Sequence, residues 1–240
     1  MFTFTIFRIP VRVEPWFWLT GFLLGGGLYA RDKQDLSALL LWLVVVFVSI
    51  LVHELGHAIT SRRLTGREPA IKLWAMGGLA YPNTSLTRSQ SLRVTLAGPA
   101  AGLAFFVIVW FICILRYGFI DGTDIIVWNI FPSPHLLLGN GAGIVSLSPL
   151  SFQFVHGLVF VNFWWSLVNL LPVFPLDGGQ AYAAIEQSQK KVFQVGLITG
   201  ITTAIIGFVV FNQWYVALLF GYLAFQNYQR LQQSSPGHWQ

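Results

Sequence analysis

The sequence of 240 residues is poor in charged side chains and nearly devoid of cysteine. Aspartate, glutamate, lysine and arginine make up 10% of it, whereas a soluble globular domain carries about 25%. So few charges cannot cover the surface of a water-soluble fold of this size, which excludes an ordinary soluble enzyme. The 55% of hydrophobic residues excludes a disordered chain, and the one cysteine, Cys113, excludes a disulfide scaffold. The composition predicts a polytopic membrane protein.

Apolar runs close to the length that crosses a bilayer, about 17–25 residues, occur at six places. The first is short and rich in glycine, and the second is the most apolar. They predict an all-α polytopic fold of about six transmembrane helices, with spans at Trp16–Ala30, Leu36–Thr60, Leu92–Leu115, Phe152–Leu171, Val192–Phe211 and Trp214–Tyr228.

The positive charges are distributed unequally between the two sides that six spans define. Eleven of the 14 lie on the side of the two termini, and the other side has Arg31, Lys33 and Arg116. Because short cytoplasmic loops are enriched in lysine and arginine, both termini are predicted to be cytoplasmic. The cations then face lipid headgroups, and nucleic-acid binding is not expected.

The cytoplasmic connection between spans two and three, Arg62–Ser91, contains a strand-like stretch. Apolar residues from Ile71 to Tyr81 flank the pair Gly77-Gly78. This pattern predicts a small membrane-associated β-loop between helices 2 and 3.

A cluster of ionisable residues, His53-Glu54-Leu55-Gly56-His57, stands late in the second span. Such side chains are costly at membrane depth and are usually functional. Residues i and i+4 share a helix face, so both imidazoles can bind one metal ion while Glu54 contacts a water molecule there. This is the HExxH zinc motif, for which this composition gives about 0.002 chance occurrences. Polar helix residues satisfied by neighbouring spans are the alternative.

Two histidines and a water leave a tetrahedral zinc site one protein ligand short. Asp177 is favoured over the other cytoplasmic acids, Glu14, Glu68 and Glu186, because the fourth span ends on the same side as His57. The chain there reads Asn169-Leu-Leu-Pro-Val-Phe-Pro-Leu-Asp-Gly-Gly. The prolines end the helix, and the two glycines are expected to allow a sharp turn that brings the carboxylate back toward the metal.

At these residues the chain resembles the site-2 protease family of intramembrane zinc metalloproteases. That family joins HExxH in one span to Asn-x-x-Pro-x-x-Pro-x-Asp-Gly at the end of another, and both motifs occur here in that order. Ala97-Gly98-Pro99 is similar to the signature that opens the intervening span, and Met76 to Ala80 to the family's β-loop. The resemblance covers a core of residues 36–185. Residues 16–30, 192–211 and 214–228 are then accessory helices of a single domain, 1–240.

The resemblance implies a metalloendopeptidase that cleaves transmembrane segments of other membrane proteins. One zinc ion per chain is bound by His53, His57 and Asp177, and Glu54 and Asn169 are catalytic. Gly77 and Gly78 would pair with the substrate by strand addition, unless they only make a turn. Asn162, seven residues before Asn169, is a further candidate for substrate binding, with interhelical packing as the alternative.

The resemblance also implies a location and partners. The expected home is a bacterial or archaeal plasma membrane, with the active site toward the cytoplasm and with a transmembrane substrate and the lipid bilayer as partners. The oligomeric state stays open. There is no room for a PDZ or CBS module, so a compact form of the family is expected.

The sequence departs from the family pattern at two positions, and two other functions stay open. Gly102 stands where relatives often have asparagine, and Gln180 where many have arginine.

A zinc-binding transporter would use the same metal ligands as a permeation site. Transporters often consist of two similar halves, and the sequence shows no such internal symmetry. An inactive scaffold would not need Glu54.

Overall fold

The computed structural model describes residues 1–75 and 77–234, which are mostly helical. In chain order the elements are β1 (Phe2–Ile6), β2 (Ile9–Val13), α1 (Pro15–Leu24), α2 (Lys33–Thr65), β3 (Ala70–Trp74), β4 (Gly77–Tyr81), α3 (Arg88–Tyr117), α4 (Phe119–Ile130), α5 (Ala142–Val145), α6 (Pro149–Val159), α7 (Ser166–Asn169), α8 (Asp177–Ile185), α9 (Gln189–Val209) and α10 (Trp214–Gln233). A π-helical segment, Phe160–Trp165, joins α6 to α7.

Four helices among the described residues are long and apolar enough to cross a membrane: α2, α3, the continuous helical stretch Pro149–Asn169 and α9. They coincide with predicted spans two to five. The first predicted span, Trp16–Ala30, is represented by α1, whose ten residues reach about 15 Å, half of a hydrocarbon core of ~30 Å. The sixth predicted span falls on α10, which is not among these four helices.

A four-stranded sheet with the order β1-β2-β3-β4 lies beside the helices of the N-terminal part. The pairs β1–β2 and β3–β4 are antiparallel, and β2–β3 is parallel. The strands β3 and β4 follow α2 and precede α3 in the sequence, within the stretch that the apolar pattern marked as strand-like. Met76, which the family resemblance places in the β-loop, lies outside the described residues.

The hairpin β1–β2 was not predicted from the sequence. Its turn residues Phe7 and Arg8 have φ of 50° and 63°, the left-handed pair that a two-residue hairpin requires. Neither residue is a common turn former, so the local signal is weak. The hairpin is held instead by β2 pairing with β3, residues about 60 positions away, and by burial of Ile9, Val11 and Val13 at 0–1% exposure.

The chain divides into two compact units, residues 1–84 with 100–166 and residues 85–99 with 167 onward. The core of the first unit contains one face of the sheet, including Ile71 and Leu73, packed with apolar residues of α1, α2, α3, α4 and α6. The second unit has a smaller core of Val173, Phe220 and Leu223.

Helix α4 lies in the connection 116–151, which the sequence did not predict as helical. Its Asp124 is fully buried and accepts hydrogen bonds from the backbone N–H groups of Leu138 (2.6 Å) and Gly139 (3.0 Å). Asn129 of the same helix lies 2.9 Å from Nδ1 of His156. The Asp124 contacts hold the connection 116–151 together, and the Asn129–His156 contact ties it to α6. None of these contacts is visible in local hydropathy.

Candidate active site

The two histidines of the HExxH motif lie inside α2 and are buried, with 4% and 8% exposure. Helix α2 begins at the N-cap Asp32, whose side chain accepts from the Asp35 N–H, and ends at Gly66 in the left-handed conformation. The Nε2 atoms of His53 and His57 are 3.2 Å apart. Two nitrogens bound to one tetrahedral zinc ion at about 2.0–2.1 Å would be about 3.3–3.4 Å apart. The pair therefore fits two ligand positions of one zinc ion.

The carboxylate of Glu54 lies against strand β4. Glu54 is 4% exposed, and a Cβ added to Gly78 would overlap its side chain. Glycine is thus required at 78 because the strand backbone and the carboxylate share one space. A bulky residue at 78 would displace the Glu54 side chain directly.

Gly77 has a φ of +113°, a conformation that residues with a side chain rarely adopt. A Cβ there would also come within 3.1 Å of the Trp165 ring. The first glycine is therefore required by its backbone conformation, and the second by the close approach to Glu54. Both glycines belong to strand β4, at the edge of the sheet.

Asn162 is buried at 2% exposure and connects two helices of the first unit. Its Nδ2 donates to Oγ of Ser49 (2.8 Å) and to the carbonyl of Leu158 (2.9 Å). Ser49 precedes His53 by one helical turn of α2. Within the described part of the chain, Oδ1 of Asn162 has no hydrogen-bond partner. Because Asn162 lies in the π-helical segment, α-helical spacing does not place it on the helix face of Asn169.

Relatives often have asparagine at position 102. In this chain the space beside Gly102 is occupied by Ser166 of another helix. A Cβ added to Gly102 would overlap Oγ of Ser166. Ser166 is 1% exposed, and its hydroxyl has no partner among residues 1–75 and 77–234. Sequence reasoning missed Ser166, since only the packing of α3 on this helix relates it to Gly102.

The second unit contains Asn169 and Asp177, both 8% exposed. Asn169 is the last residue of α7, and Asp177 is the first residue of α8. A Cβ at Gly178 would overlap the carbonyls of Leu170 and Leu171, and one at Gly179 would lie 2.5 Å from the Phe174 nitrogen. Neither glycine has a positive φ. The expected sharp turn is therefore wrong: the glycines let the first turn of α8 pack closely on the preceding loop.

Gln180 of α8 is bonded to this loop. Its Nε2 donates to the carbonyl of Pro175 (2.9 Å), so the residue that stands in place of the relatives' arginine satisfies a backbone acceptor. A carbonyl of a non-helical segment has no helical N–H to bond, and an unsatisfied one is costly when water is excluded.

Comparison with known proteins identifies the family. Residues 41–210 match the family model of peptidase family M50. A Synechocystis protein named as a zinc metalloprotease is 31% identical over 191 residues, 75% of this chain and 42% of the relative. The zinc metalloprotease Rip3 of Mycobacterium tuberculosis is 28% identical over 142 residues, 59% of this chain and 30% of the relative. The chain thus spans less than half the length of these curated relatives.

The solved structures include a protein of the same fold. The site-2 protease of Methanocaldococcus jannaschii superimposes with a TM-score of 0.56 at 20% identity, over 96% of this chain and 95% of that one. This likeness concerns the fold. Together with the family model, it confirms the resemblance to site-2 proteases. The chain therefore belongs to peptidase family M50, the site-2 protease family.

Proposed function

We propose that this chain is a zinc-dependent intramembrane endopeptidase that cleaves transmembrane segments of other membrane proteins, as in regulated intramembrane proteolysis. The observation that carries the proposal is the buried His53-Glu54-His57 cluster, with two Nε2 atoms 3.2 Å apart in a long apolar helix. Ionisable side chains are costly in lipid and are usually functional where they occur, and metal binding is the function that this arrangement supports. Family membership and the names of the relatives agree with it.

We propose that His53, His57 and Asp177 together hold one zinc ion. Two histidines and one carboxylate leave a fourth position open, which is the ligand set of many hydrolytic zinc sites. Asp177 is buried at the first turn of α8, and the packing of Gly178 and Gly179 restricts how that turn can lie. Its side chain type, burial and place in the second motif support the assignment.

In the proposed reaction, water attacks the carbonyl carbon of the scissile peptide bond. Bound zinc would supply Lewis acidity, which lowers the pKa of water to about 7 and polarises the carbonyl. Glu54 would take the proton from the water as the new C–O bond forms. It would return that proton to the amine nitrogen as the C–N bond breaks. Asn169 would donate its amide N–H to the carbonyl oxygen while negative charge develops there.

A transmembrane substrate has to unwind before it can be cleaved, because its carbonyls are occupied by helical hydrogen bonds. We propose that the unwound segment pairs with the edge of β4 at Gly77 and Gly78, beside Glu54. Asn162 is proposed as a second contact, since its buried Oδ1 could accept a substrate N–H. The competing explanation for Asn162 is its bond to Ser49, which packs two helices together.

The proposed topology has six spans, counting the helices at 16–30 and 214–228, within one domain of residues 1–240. Both termini and the active site lie on the cytoplasmic side of a bacterial or archaeal plasma membrane. The support is the distribution of 11 against 3 positive charges and the bacterial and archaeal sources of the relatives. The lipid bilayer and a transmembrane substrate are the proposed partners.

The variant Glu54→Gln tests this function. We expect cleavage of a transmembrane substrate to fall by at least about 10²-fold, the lower end for a general acid–base group, with zinc content unchanged. Glu68→Gln, outside the motif, is the matched control. Metal transport without cleavage that depends on Glu54 would favour a transporter. Metal retention without such cleavage or transport would favour an inactive scaffold. A proteomic comparison of cells with active enzyme and with Glu54→Gln would identify substrates.

Strand addition can be tested without disturbing Glu54. Leu79 on β4 is 40% exposed, so Leu79→Cys in a Cys113→Ser background should form disulfides with cysteines beside the scissile bond. Thr3→Cys on β1, the opposite edge of the same sheet, is the control and should give no such crosslink. Equal crosslinking from both edges would contradict strand addition at β4.

A further inference from the structure

A fully buried amide on the last helix holds the loop that precedes Asp177. Asn227 of α10 has 0% exposure. Its Nδ2 donates to the carbonyl of Phe174 (2.7 Å) and to the carbonyl of Leu223 in its own helix (2.8 Å). On the other side, a Cβ added to Gly196 of α9 would overlap Oδ1 of Asn227. The absence of a side chain at 196 therefore makes the room in which this amide lies.

The loop needs such a partner because of its own sequence. Pro172 and Pro175 interrupt the helix and donate no backbone N–H, so the Phe174 carbonyl is not part of a helical ladder. A buried carbonyl without a donor is costly, most of all where water is excluded. The amide of Asn227 satisfies it from a residue 53 positions away.

Two further contacts attach the same loop to α9 and α10. Val173 is fully buried against Phe220 and Leu223. The guanidinium of Arg230 lies 4.4 Å from the centroid of the Phe174 ring and 6.0 Å from that of Phe193, a cation–π arrangement. Asn227 and Arg230 are three residues apart and so lie on one face of α10.

The held loop is continuous with the start of α8. The Leu176 N–H donates to the Val173 carbonyl (2.8 Å), and the Gln180 N–H to the Leu176 carbonyl (3.0 Å). Phe174 is only three residues before Asp177. A displacement of the Phe174 carbonyl would therefore be transmitted to the first turn of α8 through a short segment that these two hydrogen bonds bridge.

We propose that Asn227 is a positioning residue for catalysis: it fixes the Phe174–Leu176 loop so that Asp177 stays in its ligand position. This inference rests on the proposed function, in which Asp177 binds zinc. The accessory helix α10 would then hold a zinc ligand in position through one side-chain hydrogen bond to the preceding loop. Asn227 itself touches neither substrate nor zinc.

The test compares three variants of this chain. Asn227→Leu removes the amide and keeps the branching of the side chain at Cγ. Gly196→Ala leaves Asn227 in place but pushes its amide, since the new Cβ overlaps Oδ1. Gly200→Ala is the matched control: its Cβ would lie 3.0 Å from that of Ala224, which disturbs α9 against α10 one turn away from the amide. Two quantities are measured, zinc affinity in a chelator competition and hydrogen exchange of the Leu176 and Gln180 amides.

We expect Asn227→Leu and Gly196→Ala to weaken zinc binding by about tenfold or more, the size of effect seen when a partner of a metal ligand is lost. Both should also speed exchange at Leu176 and Gln180. Gly200→Ala should change neither quantity, even if it lowers the melting temperature equally. Unchanged exchange in Asn227→Leu would overturn the inference, as would an equal loss of zinc in Gly200→Ala.

An Asp177→Asn arm separates this inference from the function on which it rests. If Asp177→Asn loses zinc while Asn227→Leu keeps it, Asp177 is a ligand and the positioning role of Asn227 is wrong. If Asp177→Asn keeps full zinc affinity, the proposed ligand set is wrong, and Asn227 has no ligand to position. Loss of zinc in both, with faster exchange in Asn227→Leu, supports the inference.

Discussion

Gly78→Ala is the smallest change that should separate catalysis from metal binding in this protein. The added Cβ would lie 2.2 Å from Cγ and 2.5 Å from Oε1 of Glu54, whereas ordinary contact begins at 3.4 Å. The Glu54 side chain must therefore move by about 0.9–1.2 Å, unless the strand moves instead. A misplacement of about 1 Å in a catalytic group can cost about 10²-fold in rate, or about 2.7 kcal/mol of transition-state stabilisation.

Zinc binding should survive this substitution. His53 and His57 are held by the backbone of α2, and the new methyl group meets the Glu54 side chain, not theirs. We expect a loss of about 10²-fold in kcat with zinc content unchanged. The assay is cleavage of a transmembrane substrate in detergent or vesicles, together with metal analysis of the same sample. Gly221→Ala is the control, because a Cβ there meets nothing within 4 Å.

A double mutant tests whether the methyl group acts through Glu54. If it does, Gly78→Ala combined with Glu54→Gln should be about as slow as Glu54→Gln alone, because the second change removes a group already misplaced. A rate for Gly78→Ala within threefold of the wild type would refute the reasoning. So would two losses that multiply in the double mutant.

Three further outcomes are expected. Replacing His57 and Asp177 together by alanine should remove the bound zinc, and about one zinc per chain retained in metal analysis would contradict the ligand set. Single cysteines at the exposed positions Arg67 and Gln187, in a Cys113→Ser background, should react with an impermeant maleimide only from the cytoplasmic side. Labelling of both from outside would invert the topology. Asp124→Asn should lower the free energy of unfolding by about 2–3 kcal/mol, because it weakens the two hydrogen bonds from backbone N–H groups to the Asp124 carboxylate. The melting temperature of this variant should be lower than that of the half-exposed control Asp121→Asn. Equal melting temperatures would show that those two bonds contribute little.

Most of the candidate site could be predicted from the sequence because its signals are local. The i, i+4 spacing of His53 and His57 requires only a helix to place both on one face, and the apolar runs of α2, α3, Pro149–Asn169 and α9 depend on length and hydropathy alone. The strand-like stretch around Gly77 and Gly78 was likewise predicted from the apolar residues on either side of the two glycines. In each case neighbouring residues carry the whole physical requirement.

What the sequence left undetermined depends on residues far apart along the chain. The hairpin β1–β2 is held by pairing with β3, and Gly78 is required by a glutamate 24 positions earlier. Gly178 and Gly179 were expected to make a turn, but they serve close packing against backbone carbonyls. In the sequence Asn227 is one of several polar residues in the second half of α10, and only the fold shows its bond to the Phe174 carbonyl. Periodicity reports which side of an element is apolar, and only tertiary packing decides which distant backbone group a buried polar atom satisfies.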